Sequence, residues 1–201
     1  MAAAALDFYF DYSSPYGYLA AMKIEALAGR HGRDVNWRPI LLGAVFKVTG
    51  SQPLPSVPLK GDYARRDIER SARFLGVEIR HPSKFPIATQ APGRAFYWAE
   101  SRDPAAAKRL AHALFTAYFV GDRDISSPEV TAEVAAEQGF SRTDATAALG
   151  DPAVKERLKN ETDLAIQRGV FGSPYLVVDG EPFWGVDRFD QIERWLSRGP
   201  F

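Results

Sequence analysis

Apolar and polar residues alternate near the start of the chain, with Leu6, Phe8 and Phe10 set against Asp7, Tyr9 and Asp11. A two-residue period sends successive side chains to opposite faces, so the stretch predicts a strand. The period then lengthens. Ser14 suits a helix N-cap and Pro15 the first helical position, while Leu19, Met22 and Ala26 form an apolar stripe that runs out near Gly29. Val35 to Leu42, "VNWRPILL", predicts a second strand, parallel to the first and reached by a right-handed crossover because a helix separates them.

The middle of the chain has a different character. "GSQPLPSVP", Gly50 to Pro58, carries three prolines and continues neither element, so it predicts a loop. Helical patterns follow over Leu59 to Leu75, Pro104 to Val120, Pro128 to Gln138, a short stretch after Ser141, and Pro152 to Arg168, with Ser127 and Asp151 as caps before a proline. In the last of these Val154, Leu158 and Ala165 share a face. "YLVVDGEPFWG" then reads as a hairpin turning at Asp179-Gly180, and Asp187 as the cap of a final helix with Phe189, Ile192 and Leu196 inward, stopping at Gly199. The order is βαβ, a helical block, then ββα, and the two outer pieces are expected to complete one sheet.

Composition narrows the chemistry. At 201 residues with 46% hydrophobic positions, the chain fits one compound domain with a sizeable core. Lys plus Arg equals Asp plus Glu at 25 each, so no overall charge draws it to nucleic acid or an anionic membrane. No apolar run is long enough for a membrane span, and "MAAAALDFYFDY" lacks the basic region of a secretory leader, which makes a cytoplasmic protein the expectation. The absence of cysteine excludes disulfides, thiolate metal sites and redox cycling on the chain's own thiols. No His or carboxylate spacing suggests a metal, and no Gly-rich phosphate loop occurs.

Four stretches, "FYFDYSSPYGYLA", "RPILLGAVFKVTG", "LKGDYARRDIERSARFLGV" and "GVFGSPYLVVDGEPFWGVDRFDQIERWL", stand in order along nearly the whole chain. In them the sequence resembles the 2-hydroxychromene-2-carboxylate isomerases and the related kappa-class glutathione transferases, which share the architecture of the bacterial disulfide oxidoreductase DsbA. The resemblance implies an α/β protein, a thioredoxin-like fold with a large all-helical insertion. It divides the chain into a discontinuous thioredoxin-like domain, residues 1–48 and 160–201, and an inserted helical domain, 49–159.

It also implies a glutathione site. Ser14, at the position of the reactive thiol in the oxidoreductases, would donate a hydrogen bond to the glutathione sulfur and favour the thiolate, while still capping the helix. None of His31, His81 and His112 has a context marking it as the base that a nucleophilic serine needs. Ser13 is the weaker candidate. Gly17, in place of a second cysteine, permits close packing and rules out a resolving thiol. The resemblance makes Pro174 a cis-proline, so that the backbone of Ser173 could pair with a peptide ligand. Gly185, Val186, Asp187 and Arg188 would hold the γ-glutamyl end, with Asp187 on the ligand ammonium.

For the organic substrate, a small aromatic carboxylate, Lys47 is the candidate partner, although a lone lysine is ordinarily a solvated one. Ser51 and Gln52, with Pro53, fall where the family closes a loop over its ligands. Ala88 departs from the family pattern, which often has asparagine there, and Arg94 fits a surface cation as well as a substrate contact. The implied activity is glutathione-dependent isomerisation of 2-hydroxychromene-2-carboxylate to trans-o-hydroxybenzylidenepyruvate in aromatic catabolism, such as that of naphthalene: the sulfur adds, the ring opens, a carbon–carbon bond rotates and glutathione is expelled. A kappa-class-like transferase or peroxidase, and a non-catalytic thioredoxin-like peptide-binding protein, are the alternatives. Family members often form homodimers.

Overall fold

The computed structural model describes residues 4–201; Met1 to Ala3, part of the segment read for a leader, lie outside the described residues. β1 (Leu6–Phe10) leads through α1 (Pro15–Arg30) to β2 (Val35–Pro39), and the two strands pair in parallel with Leu6 opposite Val35. β3 (Tyr175–Val178) pairs antiparallel with β1 and β4 (Glu181–Trp184) antiparallel with β3, giving the sheet order β2-β1-β3-β4. Asp179 and Gly180 make the two-residue turn between β3 and β4 at φ 53° and 90°, the positive-φ pair whose twist matches that of the strands.

Because β1 is a central strand, its alternating pattern does not leave a wet face. Phe8 and Phe10 pack with Trp37, Phe96 and Phe115 on one side, while Tyr9, 2% exposed, joins Ile40, Val45, Ala165 and Val170 on the other. Phe10 and Phe115 stand 5.4 Å apart between ring centres, and Tyr12 and Phe115 4.8 Å, within the range of favourable aromatic pairing. The helical stretch between the outer pieces thus closes over the same core that the sheet begins.

Five helices match the sequence pattern to within one residue or so at each predicted end: α3 (Lys60–Leu75), α5 (Pro104–Phe119), α6 (Pro128–Glu137), α7 (Arg142–Gly150) and α8 (Pro152–Gln167). Ser127 and Asp151 cap as expected, and Asp103 and Ser141 do the same for α5 and α7. α8 runs unbroken across residues 159 and 160, with Leu158 in the larger core cluster and Ala165 in the smaller. No helix of the described residues is long and apolar enough to cross a membrane.

Four expectations need correction. The second strand ends at Pro39, not Leu42, because its partner β1 ends opposite it at Phe10; Leu42–Thr49 is a helix, α2. A short apolar run does not by its period separate strand from helix. A helix over Gln90–Glu100, α4, was not predicted, and it contains both Pro92 and Gly93. Pro92 lies in the first turn, where the missing N–H has no intrahelical partner, and Gly93 lies against Leu158, whose Cδ2 is 3.0 Å from where a Cβ would stand. The buried face of α1 includes Leu19, Ile24 and Leu27, whereas Met22 is only half-buried and Ala26 is exposed. The final helix, α9 (Phe189–Arg198), follows a 3-10 turn at Val186–Arg188, so Asp187 lies inside that turn and caps nothing.

Candidate active site

The turn between β1 and α1 is built locally. The Asp11 carboxylate accepts the Ser13 N–H at 2.7 Å and the Asp11 carbonyl accepts the Ser14 N–H at 2.9 Å, which bends the chain just before the helix. Ser14 then caps α1: its Oγ accepts the Gly17 N–H at 3.0 Å, with Pro15 in the first helical position. Only 7% of Ser14 is exposed, and its hydroxyl donates to the Ser173 carbonyl oxygen at 2.9 Å. Ser13 is occupied differently, its Oγ accepting the Ile87 N–H at 3.1 Å.

The loop entering β3 faces this turn. The Ser173-Pro174 peptide bond is cis, and the Pro174 carbonyl accepts the Gly185 N–H at 3.1 Å, joining the loop to the Gly185–Arg188 stretch. The Ser173 Oγ accepts the Asp11 N–H at 3.0 Å and lies 2.7 Å from where a Cβ on Gly17 would stand. A side chain at position 17 would therefore displace Ser173. Glycine there serves close approach, with Ser173 occupying the space a second cysteine would need.

Lys47 is exposed in the last turn of α2. Ser14, Lys47, Ser51, Gln52, Ser173, Pro174 and Gly185 to Arg188 all line one cleft of about 1750 Å³. The Pro-rich loop after α2 forms part of its wall, and the exposed Asp187 carboxylate lies at 3.4 Å from the Arg188 guanidinium. Pockets of roughly 300–1,000 Å³ hold one drug-sized ligand, so this cleft has room for two molecules side by side.

The family model for the DSBA-like thioredoxin domain matches residues 5–197. The chain belongs to the DsbA-like thioredoxin family. Its thioredoxin-like α/β fold with a helical insertion is the one the family resemblance implied. Within the family, the chain is 32% identical over 195 residues to the 2-hydroxychromene-2-carboxylate isomerase of Sphingobium xenophagum, covering 95% of this chain and 97% of that protein. Identity to the protein of the same name from Pseudomonas putida is 30% over 196 residues, covering 96% and 94%. It is 27% to glutathione S-transferase kappa 2 of Caenorhabditis elegans over 209 residues, covering 98% and 92%. A solved structure of 2-hydroxychromene-2-carboxylate isomerase superposes with a TM-score of 0.88 at 28% identity, over 96% of this chain and 95% of that one.

Against this DsbA-like frame, two residues singled out in the sequence separate. Ala88 lines the cleft, so the missing asparagine would have faced it. Arg94 lies outside the cleft lining, with its Nη1 donating to the Leu149 carbonyl at 3.3 Å and its Nε buried without a partner among the described residues. Burial lowers its pKa.

Sequence reasoning missed three features. Asp11 is 3% exposed and binds the Leu42 N–H at 2.8 Å and the Thr89 hydroxyl at 3.0 Å in addition to the turn; burial raises its pKa while these bonds oppose the rise. Phe85-Pro86 is a second cis bond, in the segment that carries Ala88 into the cleft wall. Tyr16 donates to Asp67 of α3 at 2.7 Å across the cleft, and burial, with the Asp67 carboxylate, holds its phenol pKa high. Asp11 had one signal in the sequence, an acid at the end of an aromatic-rich run, three residues before Ser14 of the Ser-Pro cap.

Proposed function

We propose that the protein is a cytoplasmic enzyme that uses glutathione to isomerise 2-hydroxychromene-2-carboxylate, or a close relative, to trans-o-hydroxybenzylidenepyruvate in aromatic catabolism. The observation that carries the reading is the Ser14 hydroxyl at the positive end of α1, opposite the Ser173-Pro174 bond, in the same cleft as Lys47. The 30% and 32% identities to proteins named as that isomerase support the choice of reaction.

The residues present suit a small thiol peptide beside an aromatic acid. A helix N-terminus favours negative charge, the backbone at Ser173 suits a peptide backbone, and the exposed Asp187 carboxylate, paired with Arg188 at 3.4 Å, lines the cleft where an ammonium can join or replace that pair. Glutathione, when bound, supplies the nucleophilic sulfur and is regenerated. Ser14 gives its one proton to the Ser173 carbonyl in the structure described above. Rotating that proton toward a sulfur leaves the Gly17 N–H bond to Oγ in place, because Oγ keeps its lone pairs. The Ser173 carbonyl is then open to a donor from the ligand backbone. The hydroxyl never ionises; it stabilises charge on its partner. Lys47 offers a compact positive charge for the substrate carboxylate, and the Pro-rich loop with Ser51 and Gln52 lines the same cleft.

The test is turnover with glutathione and Ser14→Ala. Product should form with glutathione unconsumed, and the folded Ser14→Ala protein should lose about 100-fold or more in kcat, the scale on which one donor to a developing anion acts. Net consumption of glutathione with an unisomerised substrate would move the protein to the kappa-like transferase reading, which the 27% identity to a kappa transferase keeps in view. Full activity in a folded Ser14→Ala protein removes Ser14 as thiol activator.

A further inference from the structure

Three helices turn their N-termini toward one buried carboxylate. Asp11 stands just past the end of β1, with its Oδ1 on the N–H of Ser13, one residue before the cap of α1. Its Oδ2 accepts the N–H of Leu42, the first residue of α2, and the hydroxyl of Thr89, the N-cap position of α4. Neither α2 nor α4 has a capping bond of its own, since Leu41 has no polar side chain and Thr89 spends its hydroxyl on Asp11. The Ser13 and Leu42 N–H groups can only donate, so these two bonds favour the ionised carboxylate against the burial that opposes it. Besides these donors, Asp11 faces the phenols of Tyr12 in its own turn and Tyr118 from α5, both kept neutral by burial.

The N-terminus of α1, which favours an anion at its cap Ser14, begins three residues after Asp11. A negative charge already seated at Asp11 opposes a second one nearby. The opposition is useful to an enzyme whose sulfur must attack and leave. Thiolate nucleophilicity falls with pKa, and the best attacking thiol ionises near ambient pH. We propose that Asp11 is a positioning residue that fixes α1, α2 and α4 around the cleft and whose carboxylate restrains the anion affinity of the Ser14 position, keeping a bound thiol from being over-stabilised. The inference takes from the proposed function only that a sulfur sits at Ser14.

A sulfur placed there by Ser14→Cys tests it without glutathione. The thiol's ionisation, followed by thiolate ultraviolet absorbance, should occur at lower pH in Ser14→Cys/Asp11→Asn than in Ser14→Cys, with about a tenfold drop in proton affinity. An unchanged or increased proton affinity overturns the proposal; a purely structural role, by splaying the helix ends, would give the increase. A second measurement keeps Asp11 in place: in the Ser14→Cys protein the carbon-13 signal of the Asp11 carboxyl should move again as the thiol ionises. A signal that stays still through that titration also overturns it. Failure of the wild-type protein to bind glutathione would sink the proposed function and leave this result standing.

Discussion

Ser14 and Ser173 make one contact do two things. The Ser14 hydroxyl closes the turn onto the Ser173 carbonyl, and the Ser173 hydroxyl fills the space left by Gly17. Gly17→Ala gains roughly 1 kcal/mol of helix propensity. It nevertheless sets a Cβ 2.7 Å from the Ser173 Oγ and 3.1 Å from the Ser14 Cβ, so a net loss of stability in urea unfolding is expected. Adding Ser173→Ala should return part of that loss, a non-additivity that contacting residues show and distant ones do not. His112 carries a separate prediction. Packed edge-on against Trp37 at 4.9 Å, its imidazole is held by burial below the ordinary pKa of 6.5. The unfolded chain therefore binds its proton more readily, so stability rises with pH up to about the ordinary value and is lost as pH falls below it. Replacing His112 by Gln should flatten the unfolding free energy between pH 5 and 7, on the order of the range where an unperturbed histidine titrates.

At the scale of elements, α2 shows how a helix without its own cap is held. The Leu41 N–H donates to Thr162 Oγ1 of α8 at 3.1 Å and the Leu42 N–H to Asp11, so two distant elements do what a local cap does elsewhere. Thr162→Val keeps the shape and leaves the Leu41 N–H without its acceptor, which costs about 1–3 kcal/mol for a buried donor. Because Lys47 rides on α2, the Michaelis constant for the acidic substrate should rise more than kcat falls. Steady-state kinetics with the acidic substrate and glutathione varied separately would show it; an unchanged Michaelis constant would mean that α2 is fixed by other contacts. These caps also explain what sequence could and could not reveal. Ser127 and Asp151 sit beside the helices they cap and were legible, whereas the partners of Leu41 and Leu42 are 121 and 31 residues away. α4 was illegible for a related reason, since its Pro92 and Gly93 suit a helix only in that register and against Leu158.

For the whole molecule, the cleft lies where the two outer pieces of chain and the helical stretch between them meet. Tyr16 of α1 reaches Asp67 of α3 across it, and Ser13 and Asp11 hold the segment before α4. A ligand bound there touches segments far apart in sequence and should stabilise the folded state as a unit. At about 100 times its dissociation constant, glutathione should add roughly 2.7 kcal/mol, or about 5–10 °C in Tm for a domain of this size. Thermal melts across a glutathione titration check this. A melting temperature indifferent to glutathione would favour a peptide-binding protein over the enzyme proposed above.

The sequence alone determined what depends on near neighbours: the alternation that makes β1, the Ser-Pro cap of α1, the Asp-Gly hairpin, most of the helices, and a chemistry with no thiol of its own. Those features rest on local sterics and on hydrogen bonds between residues a few positions apart. Tertiary structure decided the rest. It ended the second strand at Pro39 because β1 had no further edge to offer, made a helix of a stretch with proline and glycine, and brought Ser14, Lys47 and Ser173 to one cleft. It also set Asp11 among three helix ends, where its bonds come from residues 2, 31 and 78 positions along the chain, a convergence that no local pattern encodes.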